Sequence, residues 1–432
     1  MKYNARHVAH LNQRETIMPA NLDQAYRHLA TRLNETPNGF PPAPDGVELR
    51  LLAYLFTPEE AALAAQLRLT LETPAEIATR LGVDQQILRK QLKSMVTRGL
   101  ITAGRAPTGG LGYGLLPFVV GIYEMQAGRI DAELACLFED YYQQTYRQSV
   151  PQQPLTHRVI PINQSVRQNL EFHPFESASD IILQAKSWGV TDCICRKQQA
   201  LLGHDCEHPL DVCMVFSVVP GFFDQRQGVR SLTQDEALAT LQRATDAGLV
   251  HSTSNTQEGL WYLCNCCTCA CGFLRSVSEL GTANVIARSA FVCEVDEDLC
   301  AGCRDCEDRC AFNALTVENI AQVDALKCAG CGVCILACST DALKLVRRPE
   351  AEIVTPPQTE EEWRQSRAVI FRCACSLPAK RCFSLSTWWA PSFPAGNRWH
   401  FRPSSCSDGD RDTSNRWRSR RRSGGTEAGR LR

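Results

Sequence analysis

The chain has 432 residues, 44% apolar and 22% charged, a globular composition with room for two to four domains. Its net charge of −1 hides an asymmetry: residues 376–432 hold twelve Lys/Arg against four Asp/Glu, a net of +8, so residues 1–375 sum to −9. That acidic body excludes wrapping of nucleic acid by the whole surface. The longest apolar stretch, Leu111 to Met125, is broken by glycines and a proline and falls short of the ~18 residues of a membrane span. The N-terminus has no apolar signal core, so a cytoplasmic protein is expected.

Residues 1–44 read as an N-terminal extension, with Met18 as an alternative start. A helical domain follows over 45–150. Asp45 to Leu69 reads as helix with a restart at Thr57-Pro58-Glu59-Glu60, where Thr caps, Pro takes the first turn and the acids meet the dipole. Thr73-Pro74-Ala75-Glu76 repeats the device for a short helix that Gly82 stops. A second helix runs from Asp84 to Arg98, then a strand at Leu100-Ile101 and a glycine-rich turn at Gly109-Gly110-Leu111-Gly112. Helix, turn, helix, strand and loop together predict a winged helix-turn-helix. Gln85, Gln86, Arg89, Lys90 and Lys93 on the second helix suit either DNA or a protein contact. Tyr123 to Tyr146 reads as aromatic-rich helix, and Pro151 to Pro161, with three prolines, as a linker.

A Cys-rich α/β middle domain is expected over 162–290, with a helix from Thr233 to Ala247 and a strand at Leu249-Val250-His251. A second Cys-rich domain follows at 291–348 and a tail at 349–432. From Ser376 the tail turns Ser-, Arg-, Pro- and Trp-rich without apolar period, and it reads as an out-of-frame or disordered extension. The fold class is therefore multidomain α+β.

Eighteen of the 23 cysteines lie between Cys193 and Cys338. Disulfide frameworks suit small exported domains, so these thiols are expected to bind metal. Cys300, Cys303, Cys306 and Cys310 form C-x2-C-x2-C-x3-C, and Cys328, Cys331, Cys334 and Cys338 repeat it 28 residues on (300 to 328). Val295-Asp296 matches Val323-Asp324, and Ala314-Leu315 matches Ala342-Leu343, so the unit is duplicated. Two-residue spacings let three thiolates wrap one face of a cubane, with Gly302 and Gly330 permitting the turns. The fourth cysteine is carried off to the other cluster. One 4Fe–4S cluster is thus expected on Cys300, Cys303, Cys306 and Cys338, the other on Cys328, Cys331, Cys334 and Cys310. Two zinc sites fit the runs less well, because zinc prefers paired C-x2-C knuckles.

Over roughly 55 residues this segment resembles the bacterial dicluster ferredoxins, whose βαβ repeats carry low-potential one-electron transfer. Ala311 and Ser339 stand where that family carries a proline after the fourth cysteine. In the middle segment Cys193, Cys195, Cys206 and Cys213 precede Cys264, Cys266, Cys267, Cys269 and Cys271, with His204 and His208 flanking Cys206. These nine thiols are candidates for a third iron–sulfur cluster, for zinc or another metal, or for buried free thiols. Over residues 40–366 the layout resembles a family of anaerobe ferredoxin-like proteins with an N-C-C-x-C-C-C-G motif, in which Ala270 replaces one cysteine here. The vicinal Cys266-Cys267 pair also suits a reducible disulfide. No G-x-G-x-x-G after a strand, Walker loop or activated nucleophile is present. The expected role is an electron-transfer protein with a redox protein partner; the alternatives are a redox-responsive DNA-binding regulator and an electron-transfer subunit of an oxidoreductase.

Overall fold

A computed structural model of the chain describes residues 20–36, 38–165, 173–224, 226, 228–280 and 285–367. The readings of Met18 and of residues 376–432 lie outside them. Helix α1, Ala20–Asn34, buries Tyr26, Leu29 and Leu33 on one stripe. The expected helix over 45–69 is two, α2 Val47–Leu55 and α3 Pro58–Gln66, because Thr57 and Glu60 form a capping box that opens a new helix. Thr73 and Glu76 do the same for α4, Pro74–Leu81, which ends on Gly82 in the left-handed region at φ 68°. Helix α5, Gln85–Thr97, is capped by Asp84 and buries Leu88, Leu92 and Met95. Gln85, Gln86, Arg89, Lys90 and Lys93 are exposed. Strands β1 Ile101–Arg105 and β2 Leu111–Leu115 form an antiparallel hairpin, and Glu72 bridges to Tyr113 beside it.

The expected helix over 123–146 is broken. A short 3-10 turn at Glu124–Gln126 is followed by α6, Ala132–Tyr141, with Asp131 as its N-cap, and then a π-helical turn at Tyr142–Tyr146. Tyr123 stacks on Phe138 at 3.6 Å between ring centroids, inside an aromatic core with Phe40, Phe118 and Tyr141.

The middle segment is built on a six-stranded antiparallel sheet in the order β3-β7-β8-β5-β4-β6. Its strands are β3 His157–Ile160, β4 Ser187–Thr191, β5 Cys213–Ser217, β6 Arg230–Leu232, β7 Val250–Ser254 and β8 Tyr262–Cys266. Strand β3 lies in the stretch read as a linker; its prolines flank rather than enter His-Arg-Val-Ile, which pairs with β7 and is buried throughout. Residues alternate between sheet faces. Met214, Phe216 and Leu263 share a core with Ile181, Ile182 and Ala237 of helices α7 Ala178–Gln184 and α9 Gln234–Asp246. The opposite face therefore carries Cys213, Val215, Tyr262, Cys264 and Cys266. Helices α8, Ile194–Leu201, and α10, Gly272–Leu280, each start beside a cysteine.

The last segment pairs β9 Phe291–Val295 with β12 Leu343–Arg347, and β10 Leu315–Val317 with β11 Ala321–Val323. One-turn helices α11 Asp305–Asp308 and α12 Val333–Leu336 lie between. One continuous apolar core runs from Tyr26 through Tyr142 and Phe273 to Leu345. The stretch after Pro349 differs from a free tail up to Arg367. Trp363 is 4% exposed and donates its Nε1–H to the Leu155 carbonyl at 2.9 Å, and Arg367 donates to the Gln152 carbonyl at 2.8 Å. The molecule is a mixed α and β structure, and no described helix is long and apolar enough to cross a membrane.

Candidate metal centres

Two thiol-lined cavities lie in the segment 291–348. Cys300, Cys303 and Cys306 line the first together with Cys338. Cys328, Cys331 and Cys334 line the second together with Cys310. Each cavity holds three thiols of one run and the last thiol of the other. The backbone explains the wrapping. Left-handed residues occur at Gly302, Arg304 and Asn313, and again at Gly330, Gly332 and Asp341, each pair 28 residues apart. A Cβ on Gly302 would meet the Asn319 carbonyl oxygen at 2.5 Å, and one on Gly330 would collide with the Phe291 carbonyl. Both positions need glycine for space as well as for φ.

The donor set fits an iron–sulfur group. The donors are all sulfur, the rest of the second cavity's wall is mainly apolar, with Phe312, Leu315, Val323 and Leu345 beside the cation Arg309, and backbone amides point at sulfur. Ala314 N–H lies 3.3 Å from Cys310 Sγ, and Ala321 N–H lies 3.4 Å from Cys300 Sγ. Burial pushes the Cys331 thiol well up, a cost that a bound cation offsets by replacing the proton. The second cavity also contains a thiol without an expected role. Cys293 on β9 is buried with its Sγ 3.8 Å from Cys334 Sγ, and this contact, with burial, pushes Cys334 up. Cys293 lies seven residues before the first run, so its spacing carries no ligand signal; its inward parity on β9 is the clue.

The nine middle-segment thiols divide into two sets. The inner set is a chain of contacts: Cys213 to Cys193, Cys193 to Cys195, Cys195 to Cys271, Cys271 to Cys266, and Cys266 to Cys264. Strand parity brings Cys213, Cys264 and Cys266 to one sheet face. Cys193 is the N-cap residue of α8 and Cys195 lies in its first turn, where its bonds to Cys193 and Cys271, with burial, push its own thiol well up. Bonds from Cys195 and Cys213 hold the Cys193 thiol well below its usual range.

The outer set is Cys206, His208, Cys267 and Cys269, whose ligand atoms all lie within 4.8 Å of one another. His204 is exposed and stands outside it. The bond with Cys269, and after it the Arg196 guanidinium, bring the Cys267 thiol down to about 6. Arg196, 2% exposed, donates to the Pro209 and Asn265 carbonyls at 2.9 and 2.8 Å, and its charge acts on Cys193, Cys267 and Cys266. A buried cation between two thiol sets is the countercharge that anionic metal–thiolate groups require. Cys136 on α6 belongs to neither set.

A buried ion pair holds this frame. Glu139 of α6 takes two bonds from Arg275 of α10, at 2.6 and 2.9 Å, and one each from Gln198 and Gln199 of α8, at 2.8 and 3.0 Å. Both helices that start at inner-set cysteines are thus tied to one carboxylate. An apolar cavity of about 320 Å³ opens on the same sheet face as Cys213 and Cys264, walled by Val215, Phe223, Trp261, Tyr262 and Trp363 with Arg226 at its edge.

The profile of the 4Fe-4S binding domain family (Fer4) matches residues 321–344, which contain the second run, Cys328 to Cys338. The chain therefore carries a ferredoxin-type iron–sulfur domain and holds at least one 4Fe–4S cluster. Neither the curated proteins nor the solved structures include a match to it.

Proposed function

We propose that the chain is an iron–sulfur electron-transfer protein with two 4Fe–4S clusters, one on Cys300, Cys303, Cys306 and Cys338, the other on Cys328, Cys331, Cys334 and Cys310. The inner middle-segment thiols, Cys193, Cys195, Cys213, Cys264, Cys266 and Cys271, hold a further iron–sulfur centre. The observation that carries this reading is the pair of cavities, each lined by four thiols drawn from both runs. Bound there, the clusters supply one-electron transfer at low potential. The chain's residues contribute thiolate ligands, amide N–H donors at sulfur and apolar walls that keep water out. Cys303 is exposed, which marks the edge where electrons pass. The exposed charges of its stretch, Glu297, Asp298, Asp305 and Asp308 against Arg304 and Arg309, are acidic in balance, so the fitting partner is a redox protein with a basic docking face. The helix pair α4–α5 with the β1–β2 hairpin is a winged helix that serves docking.

The test is iron and sulfide content of the anaerobically purified chain with EPR after reduction. About twelve irons are expected, four per cubane. About eight would leave the inner thiols without a cluster, and four or fewer would overturn the two-cluster reading. A second reading, an oxidoreductase subunit, is favoured by the cavity lined by Val215 and Tyr262, which share a sheet face with Cys213 and Cys264. It requires a small molecule that changes the EPR of the middle-segment centre. The regulator reading is favoured by the exposed Gln85, Gln86, Arg89, Lys90 and Lys93. It requires sequence-specific DNA retardation that changes on oxidation.

A further inference from the structure

The inner set is an open chain of contacts, whereas the outer set closes on a single point: its four ligand atoms all lie within 4.8 Å of one another, the one such group among the described residues. Cys206 Sγ lies 3.2 Å from His208 Nδ1, 3.1 Å from Cys269 Sγ and 3.7 Å from Cys267 Sγ, and Cys269 Sγ lies 3.7 Å from His208 Nδ1. A tetrahedral zinc ion with Zn–S of about 2.3 Å and Zn–N of about 2.0–2.1 Å places its ligand atoms about 3.6–3.8 Å apart. A cubane offers a separate iron to each ligand and so spreads its thiolates much farther. The four atoms here are close enough to share one ion and too close for a cluster. The sequence spacing agrees, since Cys206-x-His208 and Cys267-x-Cys269 are two short pairs from separate segments.

We propose that Cys206, His208, Cys267 and Cys269 bind a single zinc-type divalent ion in a closed tetrahedral site, separate from the iron–sulfur chemistry. Four protein ligands leave no open position, so the site is structural. Three thiolates and a neutral imidazole around a doubly charged ion leave one negative charge, and Arg196, buried against Cys267, offsets it. The ion clips the loop between α8 and β5 to the turn after β8. That loop ends on Cys213 and that turn joins Cys266 to Cys271, so the clip also fixes the separation of inner-set thiols. Cys269 is exposed and Cys206 and His208 are half-buried, which gives the ion a route from solvent.

The proposal is read on metals other than iron and stands apart from the electron-transfer reading. The full chain, purified anaerobically from medium containing zinc and iron, is assayed for both elements. About one zinc per chain is expected. His208→Ala should lower zinc at least tenfold with iron unchanged, and His208→Cys, which restores four ligands, should keep it. Wild-type chain stripped of zinc and loaded with cobalt should show the intense visible bands of a tetrahedral thiolate complex, which does not depend on any variant folding. Substoichiometric zinc with no such cobalt spectrum would overturn the proposal. So would loss of about four irons in His208→Ala with zinc unchanged.

Discussion

Replacing Arg275 with Met tests whether the Glu139 carboxylate holds the thiol-bearing helices together. Both side chains are nearly buried, Arg275 at 9% and Glu139 at 7% exposure, so the mutation leaves a charge stranded away from water. Removing one partner of a buried pair costs about 3–5 kcal/mol. The amides of Gln143, Gln198 and Gln199 still donate to Glu139, which places the cost at the lower end, about 3 kcal/mol. The pH dependence follows from opposing influences. Burial raises the Glu139 pKa, but Arg275 and the amides more than compensate and hold it below the usual range. A depressed folded-state pKa gives stability that is present above the unfolded value and is lost as pH falls through the folded one. In the variant burial dominates and the pKa rises, so its deficit is greatest near pH 7 and shrinks toward pH 5 as the carboxyl protonates. Urea unfolding of anaerobic protein at both pH values, with iron content matched, measures this. A variant as stable as wild type at pH 7, or a deficit that grows as pH falls, would refute the argument.

Cys310→Ala should lose about four irons, and the partner in a double variant decides which cavity is emptied. Cys310→Ala with Cys331→Ala should lose no more iron than either alone, whereas Cys310→Ala with Cys306→Ala should lose about eight; the reverse pattern would show each run serving its own cavity. Cys293→Ala should make the reduction potential of one cluster more negative and leave the other unchanged in redox-poised EPR. As a free thiol Cys334 donates to Cys293 across 3.8 Å; once Cys334 is a cluster thiolate the Cys293 S–H becomes the donor, and donors to cluster sulfur raise the potential. Trp363→Ala should destabilise the folded chain by about 3–5 kcal/mol in the same urea assay, since its ring is 4% exposed and its Nε1–H is bonded to Leu155; a loss under about 1 kcal/mol would mean that residues 349–367 pack only loosely.

The two cysteine runs were legible in the sequence because a cubane imposes its own spacing on local chain, and the capping boxes at Thr57 and Thr73 were legible for the same reason: cause and effect lie within four residues. The sheet was not. Strand β8, Tyr-Leu-Cys-Asn-Cys, lacks the apolar alternation of a half-buried strand because one face presents thiols, and β3 sits among prolines that announce a linker. The break between Gln126 and Ala132 went unseen because aromatic side chains on both sides share one core. The division of the nine middle cysteines was hidden most completely. Cys266 and Cys267 are neighbours in sequence, yet parity and the end of β8 send them to different sets. His208 entered a set and His204 did not, a difference made by the fold of their loop alone.

The exchange of final thiols between the two runs bears on the order of events during synthesis. A chain emerging from the ribosome through Cys310 has four thiols of the first run, but the cavity they begin still lacks Cys338. The second cavity receives its last thiol at Cys334 and the first at Cys338, four residues apart (338 − 334). The two cavities are thus completed almost together, and truncation anywhere before Cys338 leaves the first at least one thiol short. The inner middle-segment set is complete by Cys271, well before. With the proposed ligand sets, metal delivery would have two stages, one open while the chain is still growing and one that waits for nearly the whole of it.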